Sequence, residues 1–271
     1  MTSWKHETFV GFDVETSGQY PLAAEICEIA AVKWSNNKII EVFQSFVAVK
    51  KPMEDKVIKI HNITNEMLVG APPIDQVVKK FYHFIENAVL VAHHAPFDLG
   101  FIAPEIEKVG LPFPKKPVLC SSLLSRKAFP ESENHKLQTL IKFFNLNQGQ
   151  AHRALDDARA CLDVGLKVFE RIGDEASIDQ IYEYQKARLE WNDYSIARLR
   201  SHSAYSQLIK AIELGVPVQV TYSGGSRPGQ ARTVMPLGIV RNPLDDYLVA
   251  QENPGEIPKR YFLNKITAAA L

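Results

Sequence analysis

At 271 residues the chain is long enough for one large domain or two smaller ones, and its 31 basic and 31 acidic residues exclude a globally basic nucleic-acid binder, so any surface made for phosphates must be local. Three cysteines, Cys27, Cys120 and Cys161, lie far apart among apolar neighbours with no metal-ligand spacing, as reduced core thiols do. The polar N-terminus, and the lack of any apolar run near the ~18 residues of a membrane span, lead to the expectation of a cytoplasmic protein, neither secreted nor membrane-inserted.

Residues 8–15 read as a first strand and residues 16–23, with Gly18 and Pro21, as a loop. Residues 26–34 and 39–49 carry β-branched and aromatic residues at roughly alternate positions around Ser35-Asn36-Asn37-Lys38, which is hairpin chemistry. Residues 52–73 look irregular, and residues 74–87 have the apolar period of a helix in Ile74, Val77, Val78, Phe81, Phe84 and Ile85. Val89-Leu90-Val91-Ala92 is a buried-strand pattern, followed by predicted helices over 96–109, 121–129, 135–144 and 154–171. Strands first, then strand and helices in alternation, predict an α/β domain over 1–173. Residues 174–205 read as a polar helical connector. Residues 206–271 read as a helix followed by short β-rich runs at 216–222, 233–240, 247–250 and 260–266, a second small domain.

Asp13 and Glu15 stand at i and i+2 of the first strand, so both point to one side. Two like charges in an apolar sheet repel and are costly to desolvate; a cation between them is the usual compensation, and hard oxygens suit magnesium or manganese. An exposed edge strand with a polar face accounts for the pair equally well. Asp98 follows the buried run in His93-His94-Ala95-Pro96-Phe97-Asp98, where α/β folds collect ligands, although a lone Asp there is more often a helix cap. In His152-Arg153-Ala154-Leu155-Asp156-Asp157-Ala158, five helical residues turn by about 140°, so His152 meets Asp157 only if it lies on the loop before the helix, which Gly149-Gln150 allow. The alternative is an exposed His152/Asp156 pair, with Asp157 facing the helix dipole.

Taken together, Phe12-Asp13-Val14-Glu15-Thr16-Ser17-Gly18, His94-Ala95-Pro96-Phe97-Asp98 and His152-Arg153-Ala154-Leu155-Asp156-Asp157-Ala158 resemble the three motifs of the DEDDh 3′→5′ exonucleases, the group that includes the proofreading subunit of bacterial replicative polymerase, over residues 6–172. Ile60-His61-Asn62-Ile63-Thr64-Asn65-Glu66-Met67-Leu68 is similar to the segment between the first two in proofreading-subunit relatives. His94 stands where many relatives have Asn, and Cys120-Ser121 where many have Asp-Thr. The resemblance implies an RNase H-like mixed five-stranded sheet with flanking helices and two divalent cations, Mg2+ or Mn2+. On that pattern Asp13 bridges both ions, Glu15 and Asp157 complete the nucleophile side, Asp98 holds the other ion through water, and His152 takes the proton from the attacking water. Thr16 and Gly18 are implied at the 3′-terminal nucleotide, with Phe97 packing nearby and His61 touching the strand.

Residues 115–153 hold seven basic residues (Lys115, Lys116, Arg126, Lys127, Lys136, Lys142 and Arg153) against Glu131 and Glu133, a bias that suits a phosphate backbone or simply a solvated face. Near the C-terminus, Arg232-Thr233-Val234-Met235-Pro236-Leu237-Gly238-Ile239-Val240, Asp246-Tyr247-Leu248-Val249-Ala250 and Lys259-Arg260-Tyr261-Phe262-Leu263-Asn264-Lys265-Ile266 resemble a WYL domain, a small Sm-like β-barrel, with Asp246 at the position of its naming Trp. That resemblance implies ligand or nucleic-acid contacts at Arg232, Arg241 and Arg260. The expectation is a metal-dependent exonuclease on single-stranded DNA or 3′ recessed ends, with no membrane partner and with homodimerisation left open. An exoribonuclease of the same fold and a nucleic-acid-binding regulator with an inactive nuclease module are the alternatives.

Overall fold

The computed structural model describes residues 2–147 and 149–271, which fall into two compact units: the chain up to Ser17 with Ile26–Trp191, and Gly18–Glu25 with Asn192–Leu271. The first is built on a five-stranded sheet in the order β3-β2-β1-β4-β5. Strands β1 (Phe9–Thr16), β2 (Ile26–Ser35) and β3 (Lys38–Phe46) run antiparallel, while β4 (Val89–Ala92) and β5 (Val118–Cys120) run parallel to β1. This is the mixed sheet with flanking helices that the sequence implied. Strand β5, three residues long, has no periodicity to announce it and is identified only by its pairing, Ala92 with Cys120.

Six helices accompany the chain through β5 and beyond it: α1 (Asp55–His61), α2 (Ile74–Ile85), α3 (Pro96–Lys108), α4 (Ser121–Ala128), α5 (Leu137–Phe143) and α6 (Ala154–Ile172). The apolar stripe of α2 buries Val77, Val78, Phe81, Phe84 and Ile85, and the Phe81 ring packs against Phe12 with centroids 5.8 Å apart. On the other side of the sheet α6 comes very close to β1. A Cβ on Gly11 would lie 2.5 Å from the Ala158 carbonyl oxygen and 2.7 Å from Leu162 Cβ, so only glycine allows this approach. Gly11, Asp13 and Glu15 share that side, and α6 carries Asp157 next to Ala158.

The connector predicted over 174–205 is not a separate element. Helix α7 (Ile178–Gln185) starts at a capping box in which Gln180 N–H donates to Ser177 Oγ and Ser177 N–H donates to Gln180 Oε1 at 2.8 Å. Gln185 then takes the Cys120 N–H at 2.6 Å and donates to the Val118 carbonyl, and Leu189 bridges to Val118, so 174–191 finish the β5 edge of the first unit. Residues 192–205 fold instead with the second unit, because its core needs Ile196 and Leu199.

That second unit packs α8 (Ile196–Arg200) and α9 (Ser203–Leu214) on an antiparallel sheet of β6 (Val218–Tyr222), β7 (Ala231–Val240), β8 (Tyr247–Gln251), β9 (Lys259–Phe262) and β10 (Ile266–Ala270), around Leu208, Ile209, Val220, Leu248 and Tyr261. Its order, β10-β6-β7-β8-β9, leaves β9 and β10 as two edges. The sheet is therefore open among the described residues, in place of the barrel expected. The predicted strand at 260–266 is split by a 3₁₀ turn at Leu263–Lys265, which lets β10 turn away and pair with β6. Cys27, Cys120 and Cys161 are free and buried, and no helix among the described residues is long and apolar enough to cross a membrane.

Candidate active site

Asp13, Glu15 and Asp157 each offer a carboxylate oxygen, and the three atoms lie within 4.8 Å of one another. Strand alternation puts the first two on the α6 side of β1, and the glycine contact at Gly11 lowers the first turn of α6 onto them. Asp98 comes from the first turn of α3, where Pro96 fixes the helix start, and is 2% exposed. Pairing between β1 and β4 stops at Gly11 and Val91; beyond it Asp98 Oδ1 accepts the Val14 N–H at 3.3 Å. The exposed-edge alternative for Asp13 and Glu15 is thereby excluded, since β1 is the central strand.

His152 lies on the loop before α6, as convergence with Asp157 requires. Its φ of +58° breaks the helical path, and its backbone N–H donates to Asp157 Oδ2 at 3.0 Å. Asp156 takes the Gln150 N–H at 2.8 Å and so anchors the loop, where the alternative reading paired it with His152. The His152 side chain is exposed, within electrostatic reach of Asp157 and His61.

Sequence reasoning missed Glu28. In the register of the hairpin it stands directly opposite Glu15, fully buried. Its Oε1 accepts from Gln44 Nε2 at 2.8 Å and from the Arg153 guanidinium at 3.2 Å, and its Oε2 accepts the Ala154 N–H at 3.2 Å. Glu28 thus ties β2 and β3 to the two residues that follow His152. The signal available beforehand was the hairpin register itself, which sets Glu28 across from Glu15.

The residues implied around a substrate are placed differently from one another. Thr16 ends β1 at a bulge, where Glu15 pairs with Glu28 but Thr16 with Ile26, and is 8% exposed. Phe97 is half-buried, its ring 5.0 Å from that of Phe101. Gly18 belongs to the segment that folds with the second unit. The expected strand contact of His61 is corrected: the residue is 2% exposed, its Nδ1 accepts the Ile63 N–H at 3.0 Å, and its Nε2 faces Cys27 Sγ at 4.0 Å, so the ring braces the fold behind Thr16. In the second unit Arg241 is an internal strut, with Nε donating to Asp246 at 2.9 Å and its guanidinium bonded to the Asp193 carbonyl. Arg232 packs beside Glu252, and Arg260 is exposed over the Tyr247 ring at 5.1 Å.

Burial pushes all four acids of the cluster upward. Asp13 is held well above the usual carboxylate range by desolvation, then by the charges of Asp98, Glu15, Asp157 and Glu28. Glu15 rises to about 8 through desolvation and the Asp157 and Glu28 charges, with Arg153 opposing. Asp98 is raised by desolvation against the Val14 N–H, and Asp157 rises to about 6 through desolvation against the His152 N–H. Such a group of hard oxygens, mutually repelling and short of positive charge, fits a divalent cation.

A mixed sheet whose central strand carries an acid pair, met by further acids from two helices, is the layout of an RNase H-like nuclease. The family model described as Exonuclease (RNase_T) matches residues 10–164, and the chain belongs to that family. Relatives include the DNA polymerase III PolC-type of Halalkalibacterium halodurans, 40% identical over 177 residues, and that of Bacillus cereus, 34% identical over 210. These matches take in 65% and 78% of this chain but only 12% and 14% of the polymerases. Among solved structures, Exonuclease X in complex with 5′ overhanging duplex DNA aligns with a TM-score of 0.52 at 25% identity, over 65% of this chain and 99% of that one. The nuclease domain of 3′hExo, a DEDDh family member bound to rAMP, aligns with a TM-score of 0.55 at 18% identity, over 65% and 97%.

Proposed function

We propose that the protein is a metal-dependent 3′→5′ exonuclease that removes nucleoside 5′-monophosphates from single-stranded DNA or recessed 3′ ends. The observation that carries this reading is the convergence of Asp13, Glu15 and Asp157 within 4.8 Å, with Asp98 beside them and His152 on the adjoining loop. Asp13, Glu15, Asp98 and Asp157 would hold two divalent cations, Mg2+ or Mn2+. When bound, these supply positive charge at the scissile phosphate and acidify the attacking water. His152 accepts that water's proton on its imidazole, and the bond from its backbone to Asp157 keeps the loop beside the acids. Thr16 and Phe97 are assigned to the terminal nucleotide.

Support for DNA as the polymer comes from the DNA polymerase relatives and from the Exonuclease X complex, whose 5′ overhanging duplex is a recessed 3′ end. The second unit is assigned, on its resemblance to WYL domains, to ligand or nucleic-acid contacts through Arg232 and Arg260, with Arg241 holding its shape. End-labelled single-stranded DNA, recessed duplex and RNA, each incubated with magnesium, manganese or EDTA, test the whole reading. DNA shortened from its 3′ end only where metal is present is the expected result. Intact substrates under every condition, or digestion that persists in EDTA, would sink it.

A further inference from the structure

A cleft of about 550 Å³ opens at the carboxyl ends of β4 and β5, lined in part by His93, His94, Arg126, Glu133, His135 and Lys136. It adjoins the acids through the connection between β4 and α3: His93 and His94 directly follow the last residue of β4, and Asp98 stands in the first turn of α3 that this connection enters. His93 and His135 form its walls: the His93 ring meets Ser121 Oγ at 2.9 Å and the His135 carbonyl at 3.1 Å, and His135 Nδ1 meets Ser125 Oγ at 3.1 Å. His94, Arg126, Glu133 and Lys136 are the exposed groups around the opening. Burial, then the Arg126 charge, hold the His94 and His135 rings below the ordinary imidazole range, so the positive charge of the cleft rests on Arg126 and Lys136. Among the described residues neither cation is in an ion pair, and Glu133 is the one acid on the lining.

Volume, charge and position together choose the ligand. An apolar molecule would leave both cations unused, and a single inorganic anion would fill a small part of a space in the usual small-ligand range. A run of phosphodiesters satisfies all three. We propose that this cleft holds the backbone of the nucleic-acid strand upstream of the scissile bond, with Arg126 and Lys136 as its phosphate contacts and His94 at the end nearest the acids. Of the seven basic residues over 115–153, these two are the ones that line it.

The proposal rests on the nuclease reading, and the test separates them. Arg126→Ala/Lys136→Ala, two exposed positions, is compared with wild type on a single-stranded 12-mer and on the 4-nitrophenyl ester of thymidine 5′-monophosphate, which has no upstream phosphate. The expected result is a KM for the 12-mer raised about tenfold, a salt dependence of 12-mer binding shallower by about 1.4 in log–log slope, and unchanged turnover of the ester. An unchanged KM and slope, or a loss of equal size on the ester, overturns it. Should wild type hydrolyse neither substrate, the nuclease reading falls, while anisotropy of a labelled 12-mer with the same variant still decides the cleft.

Discussion

In the first unit four acids are gathered where desolvation holds their protons on; in the second, Glu252 sits under the Tyr261 hydroxyl at 2.8 Å, Lys259 at 3.2 Å and the Arg227 guanidinium, and its carboxyl falls to about 2. Both are acids on or beside five-stranded sheets. They differ in where the compensating charge comes from. Glu252 has its cations within the chain, so its cluster is complete and serves the fold. Among the described residues, Asp13, Glu15 and Asp157 are faced by Arg153, already engaged by Glu28, and by the exposed His152 ring beside Asp157, so the cluster is left short of positive charge and is complete only with something added. A buried charge that its own fold leaves unmatched marks the place where a ligand belongs.

The comparison would break first at Asp13. Asp13→Ala is expected to cut turnover by about 10³-fold or more at any metal concentration, since no neighbouring acid shares its position on the strand. The same change removes one member of a repelling set, so the metal-free protein should melt at an unchanged or higher temperature. Turnover near wild type, or a clear fall in melting temperature without metal, would contradict the assignment.

A smaller loss is expected at Glu28. In Glu28→Gln one of the two acceptor oxygens becomes an NH2 donor, facing either the Ala154 N–H or the Gln44 and Arg153 donors, and the start of α6 loosens beside His152. We expect kcat to fall about 10- to 100-fold with KM for the ester substrate little changed, the pattern of a positioning residue. A fall confined to KM would show that Glu28 acts on substrate binding instead.

Much of this arrangement was legible in the sequence because it is local or periodic: the alternation that sets Asp13 beside Glu15, the stripe of α2, and the rotation that forces His152 off the helix. What was hidden depends on pairing across distance. Glu28, in Ile26-Cys27-Glu28-Ile29-Ala30, reads as one polar residue in an apolar strand, and its burial follows only once β3 and α6 cover it. Thr267-Ala268-Ala269-Ala270 carries little strand propensity and becomes β10 by pairing with β6. His61 looked like a surface contact because nothing local shows that Cys27 and Ile63 enclose it. The segment Gly18–Glu25 belongs with β7 because Gly238, at φ +156°, leaves no room for a Cβ, which would sit 2.4 Å from Tyr20 Cβ, a contact more than 200 residues distant in sequence.

Acidity moves the two units in opposite directions. For Glu15 and Asp157 the folded-state values, about 8 and about 6, lie above their unfolded ones, so the folded metal-free protein binds the extra protons, and their contribution is lost as pH rises from about 4.5 towards 8. Glu252 is depressed, so its contribution is present above about 4.5 and is lost as pH falls towards 2. Melting of the metal-free protein should therefore weaken from pH 5 to 8. Added magnesium should restore more at pH 8 than at pH 5 and release protons on binding. A metal-induced shift that shrinks as pH rises would reverse the sign and remove the repelling cluster as its cause.

The smallest effect separates pairing that serves the fold from pairing that serves a site. Glu252→Gln keeps the shape of the side chain and an acceptor for the Tyr261 hydroxyl but removes the charge that Lys259, Arg227 and Arg232 share. Because solvent reaches the outer two cations, the expected cost is modest, about 1 kcal/mol, read as a lower denaturation midpoint at neutral pH. Three cations left without their carboxylate should also repel one another less in salt, so the deficit should shrink as ionic strength rises. Turnover of the ester should not move, since Glu252 lies in the unit that holds none of the four acids. A variant as stable as wild type at low salt would mean that Glu252 is held there for a partner, and the contrast between the two units would then be one of degree.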